Sequence, residues 1–252
     1  MLRYPEILTI ARREGKVTVE GLADHFGVTV QTIRRDLSDL AETGRLVRVH
    51  GGAILPSGTE NVRYEERRVL HPAEKVAIAR RCAAAIPNDC SVFLNIGTST
   101  EAVAAELLEH ENLLVVTNNI NVANILRAAA SCDVIITGGN LRASDGGLVG
   151  ALTTETISKF KFDHAIIGCS ALDEDGDILD FDIQEVGVTQ AIIARSRKTF
   201  LVADHWKFQR SAPARIASLA DIDAFFTDRA LPGALQARCA DWGTQVEICE
   251  IG

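Results

Sequence analysis

A chain of 252 residues, 47% hydrophobic and 24% charged, is too apolar for disorder and long enough for one large domain or two unequal ones. No apolar run reaches the roughly 18 to 20 residues that span a bilayer. Charges also interrupt MLRYPEILTIARREGK, where a secretory leader would be uniformly apolar, so a cytoplasmic location without membrane contact is expected.

The net charge of −8 excludes a uniformly basic nucleic-acid binder but hides an asymmetry. Residues 1–57 hold eight Lys/Arg against seven Asp/Glu, and the remainder hold 18 against 27. A near-neutral head on an acidic body permits local contact with DNA while disfavouring broad adhesion.

The first 55 residues read as helices followed by a short hairpin. Pro5 suits the first turn of a helix, Ile7, Leu8 and Ala11 give it a core face, and Gly15 stops it. Thr18 caps a second helix in which Val19, Leu22, Ala23 and Phe26 recur at i, i+3, i+4 and i+7. Gly27 ends that helix and only Val28 precedes the next cap, Thr29, so a tight turn joins two helices as in a helix-turn-helix.

In the third helix Val30, Ile33, Leu37 and Leu40 share one face, which turns Gln31, Thr32 and Arg35 outward near its start, with Arg34 on the flank. Such side chains bond to base edges and phosphates. Asp39 and Glu42 emerge on the same side further along and would repel phosphate, so only the N-terminal half of the helix is expected to enter a major groove. Gly44 terminates the helix. RLVRVHGGAIL then alternates and doubles back at Gly51-Gly52 as a wing, with Arg45, Arg48 and His50 placed to meet backbone phosphate. A small structural domain with a solvated basic face would explain these features singly, but not tight turn, cap, polar face and wing in this order.

The run VTVQTIRRDLSDLAETGRLVRVHGGA resembles the winged helix-turn-helix of the DeoR family of bacterial repressors, in which TIRRDL and RxHGGA are signature segments. The resemblance implies binding of double-stranded operator DNA by Gln31, Thr32, Arg34 and Arg35, with Thr29 at the helix start beside them.

ILPSGTENVRYEERRVLHP, polar and punctuated by Pro56, Gly58 and Pro72, reads as a linker over 58–72 with one helical turn around Tyr64 to Leu70. From residue 91 the short apolar runs SVFLN, LLVV, DVIIT, HAIIG, TFLVA and AFFT alternate with helical stretches, a βαβ grammar that predicts a mostly parallel, buried sheet over 73–252. QVEIC adds an edge or late strand. The chain is therefore an α/β protein: a winged helix-turn-helix over 1–57, the linker, and an α/β body.

Each strand ends in small or polar residues, and in a parallel sheet those ends converge on one edge where ligands bind. Gly97, Thr98, Ser99 and Thr100 open a helix whose free N–H groups, hydroxyls and dipole face incoming negative charge, a candidate phosphate cradle. Lys207, three residues beyond Asp204, is the expected cation, and Asn118, Asn119, Gly138 and Gly139 the expected pocket walls. An ordinary helix cap is the bland reading of the Gly-Thr-Ser turn taken alone. Asp173, Asp175 and Asp177 imitate the start of a calcium loop, but Ile178 occupies the glycine position and Gln184 that of the bidentate Glu, so a hairpin turn over Glu174 to Asp177 is expected instead. Asp180, Asp182 and Glu185 are candidate acceptors for ligand hydroxyls.

The body resembles the effector domain of the same family, related in fold to ribose-5-phosphate isomerase. LVVTNNINVANIL, GGNLR, DGGLVG and LDFDIQEV are most similar to a branch that responds to glycerol 3-phosphate. That resemblance implies a sugar-phosphate or polyol-phosphate effector held by Gly97 to Thr100, Asn118, Asn119, Gly138, Gly139, Asp182, Glu185 and Lys207. Asn95 departs from the Asp common in the family before the Gly-Thr turn, which removes a negative charge near the expected phosphate.

Six cysteines without a CxxC or a ligand-spaced His indicate no metal, no cofactor and no disulfide framework. Paired operator half-sites call for a homo-oligomer, dimer or tetramer. The competing reading is an enzyme, a phosphosugar isomerase with a carboxylate from Asp180, Asp182 or Glu185 as proton shuttle and Lys207 as phosphate anchor.

Overall fold

A computed structural model describes residues 3–43, 45–49, 51–55 and 61–251; Gly44, His50, Pro56 and Gly58, each assigned a role above, lie outside them. The head begins with α1 (Tyr4–Glu14), β1 (Lys16–Thr18), α2 (Val19–Phe26) and α3 (Val30–Glu42) and closes with β2 (Val47–Val49) and β3 (Gly52–Ile54). Gly15 ends α1 at φ 75°, Thr18 and Thr29 cap the next two helices through their side chains, and Gly27 takes the left-handed conformation in the tight turn. Ile7, Leu8, Ala11, Leu22, Ile33, Leu37 and Leu40 bury together as the head core. The wing differs from a plain hairpin: β1 pairs with β3, giving a three-stranded sheet in the order β1-β3-β2. KVT is too short for its alternation to register as a strand in the sequence.

The next elements are α4 (Tyr64–Val69), α5 (Pro72–Ala83), β4 (Ser91–Leu94), α6 (Thr98–Glu106), β5 (Leu113–Thr117), α7 (Ile120–Leu126) and β6 (Cys132–Ile136). After them come β7 (Asn140–Arg142), β8 (Gly147–Val149), α8 (Ala151–Ser158), β9 (Phe162–Ile167), β10 (Ala171–Leu172), β11 (Asp177–Asp180), α9 (Ile183–Ala194) and β12 (Ser196–Val202). The chain ends with β13 (Ala214–Ser218), β14 (Ala224–Thr227), α10 (Gly233–Trp242) and β15 (Gln245–Ile248).

All seven apolar runs form one parallel sheet in the order β15-β14-β12-β9-β4-β5-β6, with β15 at one edge. Alternation along each strand sends Phe93, Ala165, Leu201 and Phe225 to one face, beneath α8, α9 and α10. It sends Val92, Leu94, Ile166, Val202 and Phe226 to the other, beneath α5, α6 and α7. The sheet is thus covered on both faces, which is why its strands read as continuous apolar runs. The acidic segment forms the expected hairpin between β10 and β11, extended by β13 into a small antiparallel sheet. Sequence reasoning did not find β7, β8 or β13.

The close approach of β3 to β1 gives a test. A Cβ added at Gly52 would lie 1.9 Å from the Val17 carbonyl oxygen, which is backbone and cannot swing aside. Gly52→Ala is expected to destabilise the head by about 1–3 kcal/mol or more. Urea denaturation followed by circular dichroism measures it, and an unchanged midpoint would contradict the packing of β3 on β1.

Candidate functional site

On the head, Gln31, Arg34 and Arg35 are exposed on the first turns of α3, and Arg45 and Arg48 are exposed at and before the wing. Among the described residues no side-chain hydrogen bond or ion pair ties down Gln31, Arg34, Arg35, Arg45 or Arg48. Thr29 and Thr32 sit at the same end but are used locally: the Thr29 hydroxyl accepts from the Thr32 N–H at 3.2 Å and lies 2.9 Å from the Thr32 hydroxyl.

The acids of α3 are more engaged than the sequence suggested. Asp39 is half-buried and accepts from the Tyr4 hydroxyl at 2.6 Å, and buried Asp36 pairs with Arg3 Nε at 2.9 Å. Both negative charges are drawn toward α1, away from the exposed start of α3.

At the carboxyl edge of the large sheet, the polar strand ends meet as expected, although several residues have different partners. Asn95 is buried and turned inward: its Nδ2 donates to Thr189 Oγ1 at 2.9 Å and its Oδ1 accepts from the Ile96 N–H. The Thr100 hydroxyl is likewise spent on the Asn95 and Gly97 carbonyls. The Thr98, Ser99 and Thr100 N–H groups at the start of α6 remain without intrahelical acceptors, while that of Glu101 donates to the Gly97 carbonyl at 3.0 Å; Gly97 and Thr98 are half-buried and Ser99 is buried.

Glu101, unremarked in the sequence, stands in that same first turn. Its carboxylate accepts from Tyr64 Oη at 2.8 Å and from the side chains of Asn119 and Asn121 at 3.0 Å each. Burial and this bond raise the Tyr64 hydroxyl above its ordinary value. Asn118 donates to the Leu148 carbonyl at 3.1 Å, while its buried Oδ1 and the Thr137 hydroxyl have no partner among the described residues.

Gly138 and Gly139 serve packing against α8. Gly139 has φ 137°, a Cβ there would lie 2.1 Å from Thr153 Oγ1, and that hydroxyl donates to the Gly138 carbonyl.

Asp182 and Glu185 come together around a residue the sequence reading passed over. Arg142, at the end of β7, donates to both oxygens of Asp145 at 2.9 and 2.6 Å, to Asp182 at 2.7 Å and to Glu185 at 2.6 Å. Asp182 also caps α9 through the Gln184 N–H. Burial alone would raise the Asp182 carboxyl, but these donors outweigh it and hold it low. Glu185 moves the other way, pushed up to about 7 by burial and by neighbouring Asp180 against the pull of Arg142. Asp180 itself is buried and saturated, accepting from Ser170 Oγ at 2.7 Å and from the Phe181 and Asp182 N–H groups.

Lys207 lies on the 3-10 turn His205–Gln209 that follows β12. It is buried, and among the described residues its ammonium has no hydrogen-bond or ion-pair partner. Burial, followed by repulsion from Arg210, lowers it to about 8; Arg210 is lowered to about 10 by burial and then by Arg67. Arg67 of α4 reaches Asp145 at 3.5 Å, so the Arg142 network and the cation group share one carboxylate. None of Arg67, Arg142 and Arg210 belongs to a motif with a chemical reason legible in sequence; only their convergence gives them one.

The Arg142 network makes two substitutions informative. Arg142→Met leaves Asp182 and Glu185 without their cation and Asp145 with Arg67 alone, and is expected to cost about 3–5 kcal/mol. Glu185 behaves oppositely: its folded value lies above its ordinary 4.5, so folding takes up a proton between pH 4.5 and 7 and this contribution is lost as pH rises through 7. Glu185→Gln should therefore reduce the fall in stability between pH 5 and 8 by about 1 kcal/mol or more. Urea titrations at the two pH values measure it, and parallel pH profiles for the two proteins would contradict the raised carboxyl.

Comparison with known proteins joins the two halves of this geometry. The model described as a DeoR-like helix-turn-helix domain matches residues 3–59, and that of a DeoR C terminal sensor domain matches residues 70–229. The glycerol-3-phosphate regulon repressor of Escherichia coli strain K12 is 44% identical over 247 residues, covering 98% of each chain. That of Haemophilus influenzae is 46% identical over 226 residues, covering 90% of this chain and 88% of its own. Among solved structures, ribose 5-phosphate isomerase from Plasmodium falciparum overlays at a TM-score of 0.39 with 11% identity, covering 53% of this chain and 52% of that one, a likeness too slight to bear on chemistry. By both matched domains and by identity along nearly its whole length, the chain belongs to the DeoR family.

Proposed function

We propose that the chain is a DNA-binding transcriptional repressor that a phosphorylated metabolite, glycerol 3-phosphate first among them, releases from its operator. Residues 1–57 are the reading head, 58–72 the linker and 73–252 the body that binds the effector and holds a homo-oligomer together. The observation that carries this reading is the union, in one chain, of an unencumbered polar face at the start of α3 with a sheet edge lined by buried, incompletely paired cations. The names of the two relatives supply the effector.

Gln31, Thr32, Arg34 and Arg35 read the major groove, with Thr29 ordering the helix start and Arg45 and Arg48 meeting phosphate from the wing. In the body the α6 N-terminus, Gly97 to Thr100, Asn118, Asn119 and Lys207 surround the effector. Asp182 and Glu185 act through Arg142, and Gly138 and Gly139 act by setting the loop against α8. Two heads must span two half-sites, so the working form is a dimer or tetramer. No helix among the described residues is long and apolar enough to cross a membrane; the place of action that goes with operator binding is the cytoplasm, beside DNA.

Against an isomerase stands the engagement of all three carboxylates offered as its proton shuttle. Asp180 is held by Ser170 and backbone, while Asp182 and Glu185 are held by Arg142. A general base must be free to reach the proton it takes.

The test uses an operator duplex selected from random DNA by the full-length protein. Arg35→Ala should cost about 1–3 kcal/mol of affinity, and glycerol 3-phosphate should weaken wild-type binding about 5- to 150-fold. Fluorescence anisotropy reads both. Unchanged affinity in the variant would contradict the reading face, and indifference to every phosphate ester would contradict the sensor.

A further inference from the structure

Three cationic side chains converge beside the linker with too little negative charge to satisfy them. Arg67 comes from α4; Lys207 and Arg210 come from the turn after β12 and the residue that closes it. Arg67 Nε and Arg210 Nη1 are buried and have no acceptor among the described residues. Lys207, only 7% exposed, has none either. Asp145, 3.5 Å from Arg67, is shared with Arg142, while Asp204 acts on Lys207 and Arg210, and Asp180 on Arg210, only from beyond ion-pair distance, their oxygens accepting from the Trp206 N–H and from Ser170. Lys75 is a different case, since its ammonium donates to the Arg67 and Leu70 carbonyls and so clamps the end of α4 to the body.

Among the described residues Lys207 and Arg210 have no carboxylate partner and Arg67 has only one that it shares with Arg142, and buried charges so poorly compensated cost several kcal/mol. Structural stacking accounts for part of Arg210, whose guanidinium lies 4.5 Å from the Trp206 ring centroid and 5.3 Å from that of Phe181, with one nitrogen donating to Asn61 at 2.7 Å. It does not account for the orphaned nitrogens. Guanidinium groups with free N–H donors and an ammonium near enough to repel one another match a tetrahedral dianion, which offers several acceptor oxygens and the missing charge.

We infer that Arg67, Lys207 and Arg210 form the seat of the effector's phosphomonoester group, with the linker helix α4 supplying one of the three ligands. The inference rests on reading the body as an effector domain and moves the phosphate away from the α6 N-terminus, where the Glu101 carboxylate already stands in the first turn.

The position of the seat also gives it a consequence. Tyr64 and Asn61 of the linker bond to Glu101 and Ser170 of the body, so an anion gripped by Arg67 draws taut a segment already fastened at two points. The wall of the seat is Trp206, which carries Arg210 on its ring and Lys207 5.2 Å from its centroid. The same indole touches the head: a Cβ at Gly15, at the end of α1, would lie 2.3 Å from Trp206 Nε1. Neutralising the cations therefore acts on the linker and on the Trp206 contact with the head.

The experiment is calorimetric titration of the full-length protein with glycerol 3-phosphate and with inorganic phosphate. Arg67→Gln and Arg210→Gln should weaken both ligands at least tenfold, while Arg68→Gln, an exposed neighbour on α4, should leave them within twofold. Lys207→Met should weaken binding and raise the Tm of the ligand-free protein by about 2 °C or more, because a buried unpaired charge is removed. A merely structural lysine would lower the Tm. In Trp242→Phe, where Trp206 is the remaining indole, phosphate should change the emission saturably.

Wild-type affinity retained in both Arg67→Gln and Arg210→Gln would overturn the seat and leave the repressor reading intact. Inorganic phosphate binding lost in these variants, with glycerol 3-phosphate inert toward wild type, would uphold the seat and overturn the named effector. No binding of either ligand to wild type would overturn both.

Discussion

Charge buried at the carboxyl edge of a parallel sheet must be neutralised or it works against the fold, and this body handles it in two opposite ways on either side of Asp145. Around Arg142 the balance is overfull of acid: one guanidinium faces Asp145, Asp182 and Glu185, and Glu185 responds with a raised carboxyl. Around Lys207 the balance is short of acid, and Lys207 and Arg210 respond by holding their protons less tightly. Asp145, shared between Arg142 and Arg67, joins the two. A closed, self-sufficient cluster is suited to positioning; an open one is suited to a visiting anion.

The same contrast orders the head. Asp36 and Asp39 are bonded to Arg3 and Tyr4 on the α1 side, so the exposed start of α3 presents Gln31, Arg34 and Arg35 with little opposing charge nearby. The acidic body would otherwise repel DNA at long range, and a near-neutral head with Asp36 and Asp39 tied back confines attraction to the reading surface. The linker, and the head at Gly15 through the Trp206 indole, contact the body where the open cation cluster lies, so the site expected to change charge on binding is also the site that touches what must move.

Much of this was legible in the chain because local physics dictated it. Thr18 and Thr29 cap the helices that the apolar spacing marks out, and Gly15 and Gly27 end them. The strands that carry the sheet are the short runs rich in β-branched and aromatic residues, and the Asp-rich segment is the hairpin its failed calcium spacing implied. What the sequence withheld depends on long-range pairing. KVT becomes β1 only because Gly52 lets β3 approach, and β7 and β8 are three-residue strands that find each other across a turn. Arg142, 40 residues from Asp182 along the chain, and Arg210, 149 from Asn61, acquire partners that no spacing rule connects. Asn95 shows the converse: its place before the Gly-Thr turn suggested a role near phosphate, whereas its amide faces Thr189 inside the body.

At the centre lies a thermodynamic linkage between two surfaces of one chain, and linkage is reciprocal. The most direct measurement is the affinity of the full-length protein for glycerol 3-phosphate, determined once free and once saturated with its selected operator duplex. The account expects the operator-bound form to bind the ligand more weakly, by the same factor with which the ligand weakens the operator. Equal affinities in the two states would contradict it.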